Sequence, residues 1–353
     1  MSKLATAVLA LCFAAAVAAN AAPAIHVEEP IYDFGEVVEG YAVEHTFTIQ
    51  NIGNEVLEIN KITVTCGCTT TELETDRLMP GQSVTLGVLV NTTGFGGRIN
   101  KTVRVYSNDP NYAESTESNR PPFTLKVTGN VSRAEEYHIT TFDLQYLYYL
   151  LIDVRDAEAY ASGHLLGAIN IPFDELEASL GDLPSDTWFI VYDQDGTHGD
   201  AAGQRLQQAG HATVHSLQGG LNEWIRRFDG LYLDPVPANL EEHDLVASFV
   251  DGLSMKVDQF KYVFFLVIDQ RSADAYAASH LLGAVNVPQS EVEQWLDPFP
   301  RDLMIVVYDQ RNLASDAVVQ ALALHQFTKA RSLLGGFDEW VRQFEDRYVV
   351  TSE

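Results

Sequence analysis

The sequence predicts a multidomain chain: an N-terminal all-β sandwich, then two copies of one α/β unit, each with a central parallel sheet. Three observations carry this. Residues 25 to about 132 run in short segments of alternating apolar and polar residues, broken by turn signals. Beyond them, one set of motifs occurs twice at a fixed offset of 116 residues. The chain is 353 residues long, room for about three domains at ~100–200 residues each.

In the first part, apolar residues alternate over 42–49, 56–59, 83–90, 101–106 and 123–127, and Asn51-Ile52-Gly53-Asn54 marks a turn. A period of two buries one face of a strand, and about seven such strands at this spacing read as a sandwich. The α/β part begins after a polar stretch near Ser132. Leu151-Ile152-Asp153-Val154-Arg155 returns as Val267-Ile268-Asp269-Gln270-Arg271, and Gly163-His164-Leu165-Leu166-Gly167-Ala168 returns as Ser279-His280-Leu281-Leu282-Gly283-Ala284. Val191-Tyr192-Asp193-Gln194 returns as Val307-Tyr308-Asp309-Gln310, and Gly219-Gly220 with Trp224 as Gly335-Gly336 with Trp340. A unit this long is a duplicated domain rather than a solenoid repeat.

Within each copy a short apolar run precedes a helical pattern. The strand at 189–192 leads to a helix over 201–209 closed by Gly210, and the strand at 304–308 leads to a helix over 315–324. Strands apolar on both faces, alternating with helices, argue for a covered parallel sheet. Asp234-Pro235-Val236-Pro237 opens a linker that carries a helix over 240–250. The expected divisions are 1–21 leader, 22–132 sandwich, 133–233 first copy, 234–249 linker and 250–353 second copy.

The repeated motifs resemble the rhodanese-like domain, whose signature runs I-D-V-R, then G-H-L-x-G-A-x-N-x-P, then V-Y-C, then G-G-x-x-x-W. Asp33-Phe34-Gly35, Asn51-Ile52-Gly53-Asn54 and Cys66-Gly67-Cys68-Thr69 in turn resemble a bacterial Ig-like domain family of unknown function. In active rhodaneses the residue after Val-Tyr is a cysteine that carries a persulfide. Here Asp193 and Asp309 stand in its place. The family pattern also implies an arginine five residues on, where this chain has His198 and Ala314. A carboxylate cannot attack a sulfane sulfur and hold it as a thiolate does. No catalytic residue is therefore expected at these loops. Two readings of the aspartates stay open. Each carboxylate satisfies loop N–H groups as an N-cap does, or, with Asp195 and Asp200, the first helps bind a cation or polar ligand.

The resemblance implies structural roles for the other repeated polar residues. Asp153 with Arg155, and Asp269 with Arg271, form bracing ion pairs. His164 and His280 fix a turn, and Trp224 and Trp340 anchor the core.

Cys66 and Cys68 are the only cysteines beyond Cys12 in the leader. Residues i and i+2 of a strand lie at the limit for bridging, at roughly 6.5–7 Å between Cα atoms. A turn at Gly67 would bring them within reach, so an inert pair, a disulfide or redox dithiol, and a soft-metal pair stay open. C-x-C alone is a weak metal signal, and no metal or cofactor is expected.

The leader carries Lys3, an apolar stretch over 4–19 and Ala19-Asn20-Ala21 as an A-x-A cleavage site. It implies export to the periplasm or beyond, and no later segment is long and apolar enough to span a membrane. The 22 basic and 49 acidic residues give a formal charge of −27, which argues against nucleic acid and anionic lipid as partners. The expectation is an exported, non-catalytic binding or scaffolding module with a protein partner in the envelope. The alternative is a sulfurtransferase or thiol redox protein working through Cys66 and Cys68.

Overall fold

The computed structural model describes residues 21–184, 187–235 and 253–352. The expected leader and the helix over 240–250 lie outside the described residues. The chain divides into two compact units, one within the first 130 residues and one built mainly from residues 131–353.

The first unit holds a four-stranded and a five-stranded sheet, nine strands among the described residues where the turn signals suggested seven. The two extra strands are two-residue pieces, Ile25–His26 and Arg77–Leu78, too short to show a period. Alternation gives each sheet an apolar face. Val84, Leu86, Val88 and Val90 are buried along Ser83–Asn91, and Leu125, Val127 and Val131 along Phe123–Ser132.

The second unit contains both α/β copies. In the first copy, β1 (His138–Ile139) and α1 (Thr141–Leu147) precede β2 (Tyr149–Asp153), β3 (Ala168–Asn170) and β4 (Trp188–Tyr192). Then come α2 (Gly199–Gln208), β5 (Thr213–Leu217) and α3 (Gly220–Phe228). The second copy follows the same order. It runs β6 (Ser254–Met255), α4 (Val257–Val263), β7 (Phe265–Asp269), β8 (Val285–Asn286), β9 (Met304–Tyr308), α5 (Ser315–Leu324), β10 (Ala330–Leu333) and α6 (Gly336–Phe344). The sheets are parallel, ordered β3-β2-β4-β5-β6 and β8-β7-β9-β10-β1.

The copies therefore exchange their first strands. Ile139 of the first copy pairs with Leu333 of the second, and Met255 of the second pairs with Leu217 of the first. The helices go with them: α1 packs on α6, and α4 packs on α3. Only Tyr148 separates α1 from β2, in extended backbone, so α1 has no turn with which to fold back onto its own copy. The sequence leaves open how the two copies are arranged. The exchange follows from where the crossover residues seat, in the opposite copy. Tyr148 stacks on Tyr348 at 4.7 Å, and its repeat equivalent Phe264 stacks on Tyr232 at 4.4 Å. The Tyr148 hydroxyl donates to the Leu282 carbonyl at 2.6 Å. Both hydrophobic clusters of the unit draw on both copies, one joining Trp224 to Phe260 and the other Leu144 to Trp340.

Candidate functional site

Each Val-Tyr-Asp loop leaves the C-terminal end of a central strand, β4 or β9, and enters a helix, α2 or α5. Tyr192 and Tyr308 end those strands fully buried. Burial, and then the charges of Asp153 and Asp269, push their phenols well above the ordinary tyrosine value. Each phenol oxygen instead accepts a backbone N–H, from Leu165 at 3.0 Å and from Leu281 at 3.1 Å.

The aspartates that follow are buried, Asp193 at 4% exposure and Asp309 at 9%, and they take up the loop donors. Asp193 accepts from the N–H groups of Gly196 and His198, each at 2.5 Å. Asp309 accepts from Arg311, Leu313, Ala314 and Ser315 at 2.5–3.3 Å. In both copies the backbone nest that would hold an incoming anion holds the protein's own carboxylate. The loop turns at Gly196, whose φ is +89°. The second copy has Asn312 there at +61°, a residue type that tolerates this region.

The other repeated residues brace the loops. Arg155 grips Asp153 through Nε and Nη2, at 3.0 and 2.5 Å, and sends Nη1 to the Gln194 side chain at 2.9 Å. Arg271 does the same with Asp269 and Gln310. Gln194 then donates to Asn222, and Gln310 to Asp338, so the residue after each aspartate is tied to the start of the last helix. Gly220 and Gly336 make this closeness attainable: a Cβ on either would lie 2.5 Å from the Asp193 or Asp309 carbonyl. The buried indoles of Trp224 and Trp340 donate to the carbonyls of Leu231 and Arg347. His164 and His280 lie away from the loops, each with Nδ1 on a tyrosine carbonyl, Tyr160 or Tyr276, and its ring stacked on the same tyrosine.

A cleft of about 620 Å³ opens over the first loop, lined by Arg155, Phe173, Asp193, Asp195, Thr197 and His198. His198, in the arginine position, is exposed, with Nδ1 3.8 Å from the Asp193 carboxylate. Asp195 is turned onto Thr197, whose hydroxyl and backbone N–H hold its carboxyl below the ordinary range. Asp200 donates nothing to the cleft and instead receives the Ser216 hydroxyl. Ala314 gives the second loop no side-chain polarity. His138, carried in on the exchanged strand, reaches Asp316 at 3.1 Å and Asn312 at 3.5 Å. The Ser332 hydroxyl lies within hydrogen-bond reach of both Asn312 and Asp316 and can donate to one of them at a time. No spacing signal linked His138 to this loop, because it arrives from the other copy.

Cys66 and Cys68 form a disulfide with Cα atoms 5.3 Å apart. A turn closed by the Thr69 N–H on the Cys66 carbonyl brings them within reach, and both cysteines are half-buried. The Thr69 hydroxyl lies 3.7 and 3.8 Å from the two sulfurs. Among the described residues no cluster of three or more His, Cys, Asp or Glu side chains is placed to hold a metal ion.

The family model for the rhodanese-like domain matches residues 140–227 and 251–343, together just over half of the chain. The chain belongs to the rhodanese-like family. Residues 25–131 match DUF1573, a family described as a protein of unknown function. Among solved structures, a rhodanese-like domain from Anabaena sp. is 30% identical, covering 22% of this chain and 92% of that one, with a TM-score of 0.22. A thiosulfate sulfurtransferase from Pseudomonas aeruginosa is 22% identical over 61% of this chain and 43% of that one, with a TM-score of 0.23. A protein of unknown function from Porphyromonas gingivalis W83 is 21% identical over 32% of this chain, with a TM-score of 0.26. The rhodanese-like protein spans 50% of the length of that last structure. Among the described residues no helix is long and apolar enough to cross a membrane.

Proposed function

We propose that this rhodanese-like protein is an exported, non-catalytic binding or scaffolding module that acts in the periplasm or envelope through a protein partner. One observation carries the reading. Both loops that would present a persulfide and cradle its anionic donor are filled by Asp193 and Asp309, whose carboxylates occupy the backbone N–H groups. Displacing either would strand buried donors beside a negative charge. The side chains at the arginine position, His198 and Ala314, supply no fixed cation for thiosulfate. Export rests on the N-terminal leader pattern in the sequence. Affinity capture from the envelope fraction of the source bacterium, with the mature chain as bait, is expected to retain a stoichiometric protein partner. Steady thiocyanate production from thiosulfate and cyanide by the same preparation would overturn the proposal.

The disulfide favours a second reading, thiol redox work at Cys66 and Cys68. It closes a loop of three residues, which removes little entropy from the unfolded chain and so gives the fold little. Thiol titration against a graded dithiothreitol potential separates the readings. A pair that exchanges rapidly at mild potentials supports redox work, and one that stays oxidised until strongly reducing potentials supports the scaffold.

A further inference from the structure

A second cleft, of about 610 Å³, lies where the two rhodanese copies meet, and it shares no lining residue with the cleft over the first loop. Gly167 and Gly283 touch at its floor, where a Cβ on either would come within 2.9 Å of the other's carbonyl oxygen. The walls are duplicated: Tyr160, His164 and Asn170 from one copy, and Tyr276, His280 and Asn286 from the other.

Each polar side chain on these walls is oriented by a backbone contact. His164 Nδ1 lies 3.0 Å from the Tyr160 carbonyl and His280 Nδ1 2.9 Å from that of Tyr276. A carbonyl only accepts, so Nδ1 carries a proton in each ring, and His164 Nε2 lies 3.9 Å from the Asp234 carboxylate. Burial holds His280 below the ordinary histidine value, which keeps it neutral near pH 7. The Asn170 amide donates to the carbonyls of Asp153 and Arg155, and that of Asn286 to those of Asp269 and Arg271. That leaves each Oδ1 as an acceptor. The tyrosine hydroxyls are spent on the carbonyls of Ala168 and Ala284. Among the described residues no lysine or arginine lines the cleft, and Asp234 adds a carboxylate. The lining thus carries one His–Asn pair from each copy, with the Asp234 carboxylate beside the first and Val350 at the matching position of the second, and Leu166 and Leu282 add apolar wall.

We infer that this inter-copy cleft binds a short linear diamine, one ammonium group against each His–Asn pair and the methylene chain against the leucines. An ammonium has only donors and suits the carboxylate of Asp234, the Oδ1 atoms of Asn170 and Asn286 and the Nε2 of a neutral His280. The duplicated wall asks for a ligand with two like ends, and the acidity of the chain raises the local concentration of cations. Volumes of this order are typical of small-molecule sites.

Isothermal titration of the full mature chain with 1,4-diaminobutane, beside 1-butylamine, tests the proposal. The diamine is expected to bind at one per chain and at least roughly tenfold more tightly than the monoamine. His164→Phe and His280→Phe, which keep the ring stacked on tyrosine, are each expected to weaken it by roughly tenfold or more. Histidine ring NMR shifts of the unsubstituted protein provide a readout that no folding defect can mimic: both rings are expected to shift at saturation. Equal affinity for the two amines, unshifted rings, or retention of full affinity by both variants would overturn the inference.

Discussion

The aspartate after each Val-Tyr is the smallest change with the largest consequence for this rhodanese-like chain. Replacing it by cysteine would restore a sulfur atom but no cation to meet thiosulfate, since His198 is exposed and Ala314 is apolar. Asp193→Cys is therefore expected to show thiosulfate:cyanide transfer within about tenfold of the protein-free blank. Thiocyanate formation checks this, and brisk turnover by the single variant would mean the missing arginine is dispensable. The ion pair that braces the loop makes a separate prediction. Asp153 is fully buried, and Arg155 supplies its charge partner. Arg155→Ala strands that carboxylate and is expected to cost about 3–5 kcal/mol of stability. Urea denaturation measures it, and a loss under about 1 kcal/mol would show that Asp153 is held by other groups.

At the scale of elements, most of the repeat was legible. The strand Met304–Tyr308 and the helix Ser315–Leu324 fall where the apolar pattern put them, and the helix expected over 201–209 runs Gly199–Gln208. Apolar period and glycine stops are local properties, and a strand or helix records them locally. The exchange of β1 with β6 was not legible. Two copies of one motif look alike whether each first strand pairs within its copy or across, and the choice is made by tyrosines distant in sequence. Nor did spacing reveal that His138 would join the Asn312 network, for the same reason. The contact between copies at Gly167 and Gly283 gives an element-scale test. Gly167 has φ +78° and lies against the Gly283 carbonyl, whereas Gly210 has φ +102° in open space. Gly167→Ala is expected to cost about 1–3 kcal/mol, and more than Gly210→Ala, by chemical denaturation. Equal costs would show that backbone strain alone decides, and that the copies do not press together there.

For the whole molecule, the exchanged strands and shared clusters predict that the two rhodanese copies unfold as one cooperative unit. Leu144 lies on α1 of the first copy yet is fully buried in the cluster that holds Trp340 of the second. Leu144→Ala is expected to cost about 2–5 kcal/mol and to lower the unfolding of both copies together. Single-tryptophan variants retaining Trp224 or Trp340 report on each copy, and transitions that separate would contradict a shared core. Such coupling suits a scaffold, which needs a fixed surface more than a mobile loop. The reading of function turns on whether the filled loops are chemically silent. The most direct measurement is a thiosulfate:cyanide sulfurtransferase assay on the purified protein, with intact mass recorded after thiosulfate exposure. Filled loops predict thiocyanate at the blank rate and no sulfur adduct on the protein. Sustained turnover accompanied by a persulfide would contradict them.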